Sequence, residues 1–166
     1  MNFFNYRDGS LFCEDIPLEQ IGERFGTPCY VYSYQTLARH YHRLVKAWRP
    51  VEFILTYAVK ANSNIAILRT FKKFGAWADV VSGGEIYRAL RAGFSPDRII
   101  FGGVGKTEKE IDYAVKRNIF MIVIDSEEEL DVVAQTARRN KIRVNVDLRI
   151  NPDINPRTHR YIATGL

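Results

Sequence analysis

The sequence predicts an α/β fold in which helices cover a parallel β-sheet. From residue 53 to residue 150, short apolar runs alternate with amphipathic stretches of helical spacing. Two of these amphipathic stretches stop at a glycine, which commonly ends helices. Repeated strand-then-helix units with apolar strands are typical of parallel sheets. The regular spacing fits either a (β/α) barrel or a doubly wound sheet.

The segment before this alternation predicts a small hairpin and two helices. Asp8-Gly9 is a turn signal between two short strand-like pieces. A helix is predicted from Pro17 to Gly26, and a short strand over residues 29–32. Ser33 then has the position of an N-cap for an amphipathic helix that runs to Trp48.

Five strands and four helices are predicted in the alternating part. The strands span residues 53–59, 78–81, 98–101, 120–124 and 142–150. The helices between them end at Gly75 and Gly93 or begin at capping-box spacings, which are Ser82 with Glu85, Thr107 with Glu110, and Ser126 with Glu129. A closed barrel of this type needs more strands than these. The pattern therefore fits an open sheet or the first part of a longer barrel.

Composition and charge exclude several classes of function. The chain has 166 residues and a net charge of +5, but its basic residues are scattered as on a solvated surface. Cys13 and Cys29 have no metal-like or redox-like spacing and fit a reducing compartment. No apolar run is long enough for a signal peptide or a membrane span. We therefore expect a cytoplasmic protein without a nucleic-acid or membrane partner, and no metal site.

Lys60 is the first candidate site residue because it ends an apolar strand. Alternation along residues 53–59 places Ile54, Thr56 and Ala58 on the same face as Lys60. Burying an unpaired ammonium is costly, and a desolvated lysine is a good nucleophile for carbonyl groups. The alternative is that Lys60 lies just past the strand and extends into water. This segment alone favours the alternative.

Asp79 and Arg149 are the second and third candidates. Asp79 lies inside a short apolar strand, where a carboxylate needs a cationic or hydrogen-bonding partner. Arg149 shares one face of the last predicted strand with Asn145 and Asp147. This polar face fits a barrel lumen that holds a polar ligand, and it fits an edge strand with one wet face equally well.

The glycine-rich stretch 102–107 is not a nucleotide-binding loop. The phosphate loop needs a glycine where Ile100 stands, and the glycines also miss the dinucleotide spacing. The stretch is a turn that lets a ligand approach the backbone, or one that simply begins a helix. His40, His42 and His159 have no metal-ligand spacing.

Several motifs together resemble one family. Residues 57–64, Tyr-Ala-Val-Lys-Ala-Asn-Ser-Asn, resemble the lysine motif of the fold-type III pyridoxal-phosphate-dependent decarboxylases. Ser63-Asn64 is similar to the decarboxylases and unlike the related alanine racemases. Further segments resemble the diaminopimelate decarboxylase branch in the same order, namely residues 25–32, 78–85, 101–107, 149–152 and 159–165. Arg160 departs from the proline that is common in the family.

The resemblance implies a fold and a domain organisation. Residues 31–166 would form the first five or so units of an incomplete (β/α)8 TIM-type barrel. Residues 1–30 would pack on a β-domain that lies outside this chain. The later residues of the cofactor site would also lie outside this chain. The 166-residue chain is therefore expected to be a fragment, and to be inactive and poorly soluble alone.

The resemblance also implies a reaction and roles. Lys60 would bond covalently to pyridoxal 5'-phosphate. Asp79 would orient Lys60 and the cofactor, and Arg149 would help to hold the network of charges that these groups form. The reaction would be decarboxylation of meso-2,6-diaminopimelate to L-lysine, in lysine biosynthesis, by a full-length homodimer acting on a small amino-acid substrate. Two alternatives stay open: a related decarboxylase of arginine, ornithine or carboxynorspermidine, and a non-catalytic pyridoxal-phosphate-binding or interaction fragment.

Overall fold

The protein divides into two compact units, and the division falls between Leu55 and Thr56. A computed structural model describes residues 2–151 and residue 157. The predicted boundary after residue 30 rests on packing against a β-domain, and it stays a prediction.

The first unit contains a three-stranded antiparallel sheet. Strands β1 (Phe4–Arg7) and β2 (Ser10–Cys13) form the predicted hairpin. Both residues of its turn, Asp8 and Gly9, have left-handed backbones with φ of 48° and 81°, as the common two-residue hairpin turn requires. Strand β3 (Ile16–Pro17) pairs with β2 and was not predicted, because two residues show no alternation.

Two helices complete the first unit, and both were predicted. They are α1 (Leu18–Phe25) and α2 (Tyr34–Trp48), and the Ser33 hydroxyl accepts a hydrogen bond from the Thr36 amide at 3.0 Å. The strand predicted over residues 29–32 is wrong. Among the described residues it has no neighbouring strand to pair with, and its Tyr30 side chain is 92% exposed.

In its described residues, the second unit is a parallel sheet of five strands connected by four helices. The sheet order follows the chain order, which is the order of a (β/α) barrel wall and not of a doubly wound sheet. None of the helices in the described ranges is long and apolar enough to cross a membrane. The strands are β4 (Thr56–Ala58), β5 (Trp77–Val80), β6 (Ile99–Phe101), β7 (Met121–Ile124) and β8 (Val146–Leu148). The helices are α3 (Ile65–Phe74), α4 (Gly83–Ala92), α5 (Glu108–Lys116) and α6 (Glu127–Asn140).

The hydrophobic core of this unit lies between the sheet and its helices. Strand residues of one face, such as Val80, Phe101 and Ile122, are fully buried against the helices. The residues of the opposite face, among them Asp79 and Ile100, are only half-buried. The sheet therefore has one packed face and one open face, and the open face is the one that would line a barrel.

Two predicted strands are shorter than expected. The strand predicted over residues 53–59 is reduced to β4, and the one over 142–150 is reduced to β8. Both are edge strands of the five-stranded sheet, so each has a hydrogen-bonding neighbour on one side only. Phe53, which the pattern placed in the strand, instead lies near the Trp48 ring, with 6.4 Å between ring centroids.

Glu110 joins the beginnings of two helices. Its Oε2 accepts hydrogen bonds from the Thr107 amide at 3.0 Å and hydroxyl at 2.7 Å, which completes the predicted capping box. Its Oε1 accepts from the Gly83 amide at 2.8 Å, at the start of α4. These hydrogen bonds lower the pKa of Glu110, the bond from Gly83 most, against the opposing effect of burial.

We expect Glu110→Gln to lower the free energy of unfolding at pH 7 by about 1.5–3 kcal/mol, the range for hydrogen bonds to charged groups. Because the folded pKa lies below the ordinary value of 4.5, this stabilisation is present above that pH. It is lost as the pH falls through the lowered pKa, where wild type and variant converge. Urea unfolding at a series of pH values measures the difference.

The matched control is Glu127→Gln, which changes an exposed carboxylate in the first turn of α6. It keeps the helix position and removes no contact with the Gly83 loop. Equal stability of Glu110→Gln and wild type at pH 7 would contradict the expectation.

Candidate active site at the carboxyl-terminal edge of the parallel sheet

The strand register relates two of the predicted site residues, Asp79 and Arg149, to the open face of the sheet. Ala58 pairs with Asp79, and Asp79 pairs with Ile100, so these residues form one row across three strands. At the other end of the sheet, Val123 pairs with Asp147, and Arg149 follows two residues later on the same face. Asp79 and Arg149 therefore both lie on the face turned away from the helices. They reach it near the carboxyl ends of their strands, where barrel folds hold their catalytic residues.

Lys60 lies just beyond β4, in a 3₁₀ turn over Val59–Ala61, and its side chain is exposed. The alternating pattern predicted Lys60 as the last residue of the strand face, and that prediction is wrong. The strand ends at Ala58, and the fully buried Val59 anchors the turn that follows. The position is the one described by the alternative, a lysine just past the strand.

The loop that carries Lys60 is fixed by contacts on both sides. The Tyr57 ring stacks on the Phe71 ring, with 4.0 Å between centroids, and the Tyr57 hydroxyl donates to the Asn62 carbonyl at 3.2 Å. The Asn62 side chain accepts from the Asn64 amide at 2.9 Å, and Asn64 caps α3. The lysine therefore projects from a short turn that is held at its two ends.

Asp79 has a half-buried carboxylate whose pKa depends on the charge of Lys60. Burial raises the pKa of Asp79, and the positive charge of Lys60 opposes part of that rise. The partner that a carboxylate in an apolar strand requires is thus supplied, in part, by the lysine one strand away. The raised pKa makes this carboxylate more basic than an exposed aspartate.

Arg149 contacts a residue that the sequence analysis did not identify. Its Nη1 lies 3.5 Å from Oδ1 of Asp125, the first residue after β7. The prediction joined Arg149 to Lys60 and Asp79, whereas its ion pair in the structure is with Asp125. A charged residue at the end of an apolar strand is the signal that singled out Lys60, and it was available for Asp125 as well.

Lys106 forms a buried ionic cluster next to Arg149. The Lys106 side chain is 0% exposed, and its Nζ lies 3.0 Å from Asp125 Oδ2 and 2.9 Å from Glu129 Oε1. Its ammonium also donates to the Gly103 carbonyl. Sequence analysis treated this lysine only as part of a glycine-rich turn.

The turn after β6 approaches β5 closely. Gly103 has a φ of 102°, and a Cβ there would lie 3.2 Å from both the Cβ and the carbonyl oxygen of Val81. Both facts require glycine at this position. The turn thus packs on the end of β5, and the predicted helix α5 begins after the Thr107 cap.

A cavity of about 640 Å³ opens beside this cluster. Its polar lining includes the Lys106, Asp125, Glu129 and Arg149 side chains, and its apolar lining includes Ile111 and Val132. No group of three or more His, Cys, Asp or Glu residues in the described part of the chain could hold a metal ion. His159 and Arg160, and the rest of the segment 159–165, lie outside the described residues.

The fold and the site together define a class of protein. This class has the first part of a (β/α) barrel, with a lysine and ion-paired side chains at the carboxyl-terminal edge of its sheet. Comparison with known proteins then identifies the family. Residues 34–166 match the family described as pyridoxal-dependent decarboxylase, pyridoxal binding domain, and the chain belongs to this family.

Similar proteins carry the name diaminopimelate decarboxylase. One from Aquifex aeolicus is 43% identical over 99% of this chain, and one from Zymomonas mobilis is 46% identical over 98%. The chain spans 39% of the length of each. The solved structure of the M. jannaschii diaminopimelate decarboxylase in complex with L-lysine matches with a TM-score of 0.88 and 39% identity, over 97% of this chain and 38% of that one.

We expect Lys60→Met to raise the pKa of Asp79 further, because the variant removes the positive charge that opposes the effect of burial. A pH titration of the Asp79 carboxyl carbon by ¹³C NMR measures the change. Lys109→Met, which removes a charge from the exposed side of α5, is the control and leaves the titration unchanged. An Asp79 pKa that is unchanged or lower in Lys60→Met would contradict the pairing.

Proposed function

We propose that this chain supplies the cofactor-binding lysine of an enzyme that decarboxylates meso-2,6-diaminopimelate to L-lysine and CO2. One observation carries the proposal: the positive charge of Lys60 acts on the Asp79 carboxylate at the carboxyl-terminal edge, in a chain 43% and 46% identical to diaminopimelate decarboxylases. The family itself is defined by pyridoxal binding. The reaction, the substrate and a role in lysine biosynthesis are proposed for the whole protein that contains these residues.

The side chains at this edge fit pyridoxal 5'-phosphate. The cofactor carries an aldehyde, which reacts with a primary amine, and the exposed Lys60 amine is accessible for that reaction. The Asp79 carboxylate is more basic than usual and is influenced by the Lys60 charge, so it can hold a proton near Nζ or stabilise a positive charge there. When bound, the cofactor supplies an electron sink for the carbanion left when CO2 departs.

Arg149 contributes a positive charge to the same edge. Its guanidinium is half-exposed and paired with Asp125, so it is held in place and still accessible. An anionic cofactor and an amino-acid substrate with carboxylate groups both favour a cation at such a position. Arg149 therefore keeps the role that the resemblance implies, although it is oriented by Asp125.

The relatives favour diaminopimelate over the substrates of the alternative decarboxylases. The two curated relatives and the solved structure described above are all named for diaminopimelate, and the solved complex contains L-lysine. Arginine, ornithine and carboxynorspermidine stay alternatives that a substrate assay separates. A cytoplasmic location and a homodimer are proposed for the full-length protein on the basis of the same resemblance.

A hybrid enzyme tests the proposal. We expect that replacing the matched part of the Aquifex aeolicus relative with residues 1–166 of this chain gives a hybrid that forms L-lysine and CO2 from meso-diaminopimelate. Lys60→Ala in the hybrid abolishes the activity, because the amine that binds the cofactor is lost. Lys109→Ala, the matched control, leaves it intact. Product analysis with meso-diaminopimelate, L-arginine and L-ornithine as separate substrates measures the outcome.

Two results would contradict the proposal. One is a folded hybrid that binds pyridoxal 5'-phosphate and decarboxylates L-arginine or L-ornithine but not meso-diaminopimelate. The other is a hybrid whose activity survives Lys60→Ala.

A further inference from the structure

The buried ammonium of Lys106 has three oxygen atoms around it. It donates hydrogen bonds to the Gly103 carbonyl and to Asp125 Oδ2, and it forms an ion pair with Glu129 Oε1 at 2.9 Å. The ring of Phe101 adds an apolar wall, with its centroid 5.8 Å from Nζ. Lys106 therefore connects the turn after β6, the end of β7 and the first turn of α6.

The charges of this cluster balance only when Arg149 is included. Asp125 and Glu129 carry two negative charges against the single charge of Lys106. Arg149 supplies the second positive charge through the other oxygen of Asp125, at 3.5 Å. Lys106, Asp125, Glu129 and Arg149 thus form a neutral four-charge cluster. Lys106 is its buried end, and the half-exposed Arg149 is the end on the open face.

Packing alone gives little reason for a buried cluster of this kind. Replacing buried ion pairs with apolar residues of similar size is often neutral or stabilising, whereas removing one partner is strongly destabilising. The cluster lies at the carboxyl-terminal edge and not in the core between sheet and helices. Through the Asp125–Arg149 ion pair, the cluster affects a side chain outside the hydrophobic core.

We propose that Lys106 is a positioning residue for Arg149. Lys106 neutralises Glu129 and holds one oxygen of Asp125, which leaves the other oxygen to orient the Arg149 guanidinium without drawing it away from the open face. Arg149 stays half-exposed at the edge as a result. The significance of Arg149 for catalysis rests on the proposed function, but its control by Lys106 is a property of this cluster alone.

The side-chain signal of Arg149 tests this proposal in the protein without added cofactor. In Lys106→Met, two carboxylates remain with one cation, so Arg149 is drawn toward them. We expect a clear shift of the Arg149 Nε–Hε resonance in ¹H–¹⁵N NMR, and a several-fold slower exchange of that proton with solvent. Comparison with Arg149→Lys, which lacks the signal, identifies the resonance. Lys109→Met is the control and leaves it unchanged.

A charge rescue separates positioning from a purely structural role. The double variant Lys106→Met/Glu129→Gln restores neutrality. The amide oxygen that it introduces at position 129 can still accept the bond that Glu129 accepts from the Asp125 amide at 2.9 Å. We expect the Arg149 signal to return toward its wild-type position. If Lys106 had only a structural role, the second substitution would destabilise the protein further, and the Arg149 signal would not return toward its wild-type position.

Glu129→Gln alone covers the case in which Lys106→Met does not fold. It leaves one carboxylate with two cations, so Arg149 is bound more loosely and its signal shifts in the opposite direction. An Arg149 signal that is the same in wild type, in folded Lys106→Met and in Glu129→Gln would overturn the proposal. Failure of the hybrid enzyme would instead overturn the proposed function, because the signal is measured without cofactor or substrate.

Discussion

A carboxylate partly withdrawn from water beside a lysine is the constraint on which this site depends. Asp79 stands in a strand whose neighbouring residues, Ala78 and Val80, are fully buried, and burial raises its pKa. A purely structural strand gains nothing from such a residue, because desolvating a carboxylate costs free energy. The Lys60 charge offsets part of that cost. Opposite charges therefore stand at the ends of β4 and β5, at the edge where barrel folds hold their catalytic residues.

The sheet can hold this pair because its two faces have different roles. The face against the helices contains the fully buried side chains that stabilise the unit, such as Phe101 and Ile122. The other face is free to hold polar groups at the carboxyl ends of the strands. Gly103 lets the turn after β6 pack on β5, and Asp125 places Arg149 at the same edge. Stability and chemistry thus depend on separate sets of residues from the same strands.

The sequence predicted the regular parts of this arrangement better than its site. Capping residues such as Thr107 and helix-ending glycines act locally, so the ends of α3 and α4 and the beginnings of α4, α5 and α6 were predicted correctly. The edge strands β4 and β8 were predicted too long, because alternation does not show where a neighbouring strand ends. Lys106 and Asp125 are 19 residues apart, and nothing in either segment shows that they pair. The motif around Lys60 identified the lysine, but the 3₁₀ turn that presents it comes from the fold.

The most direct measurement of the central claim is a peptide map of the protein after incubation with pyridoxal 5'-phosphate and reduction with borohydride. At limiting cofactor, we expect the added mass to lie on the peptide that contains Lys60. In Lys60→Ala that preferred site disappears, and in Lys109→Ala it remains. Labelling spread evenly over the exposed lysines, or directed to a different lysine, would contradict the assignment of Lys60 as the cofactor-binding residue.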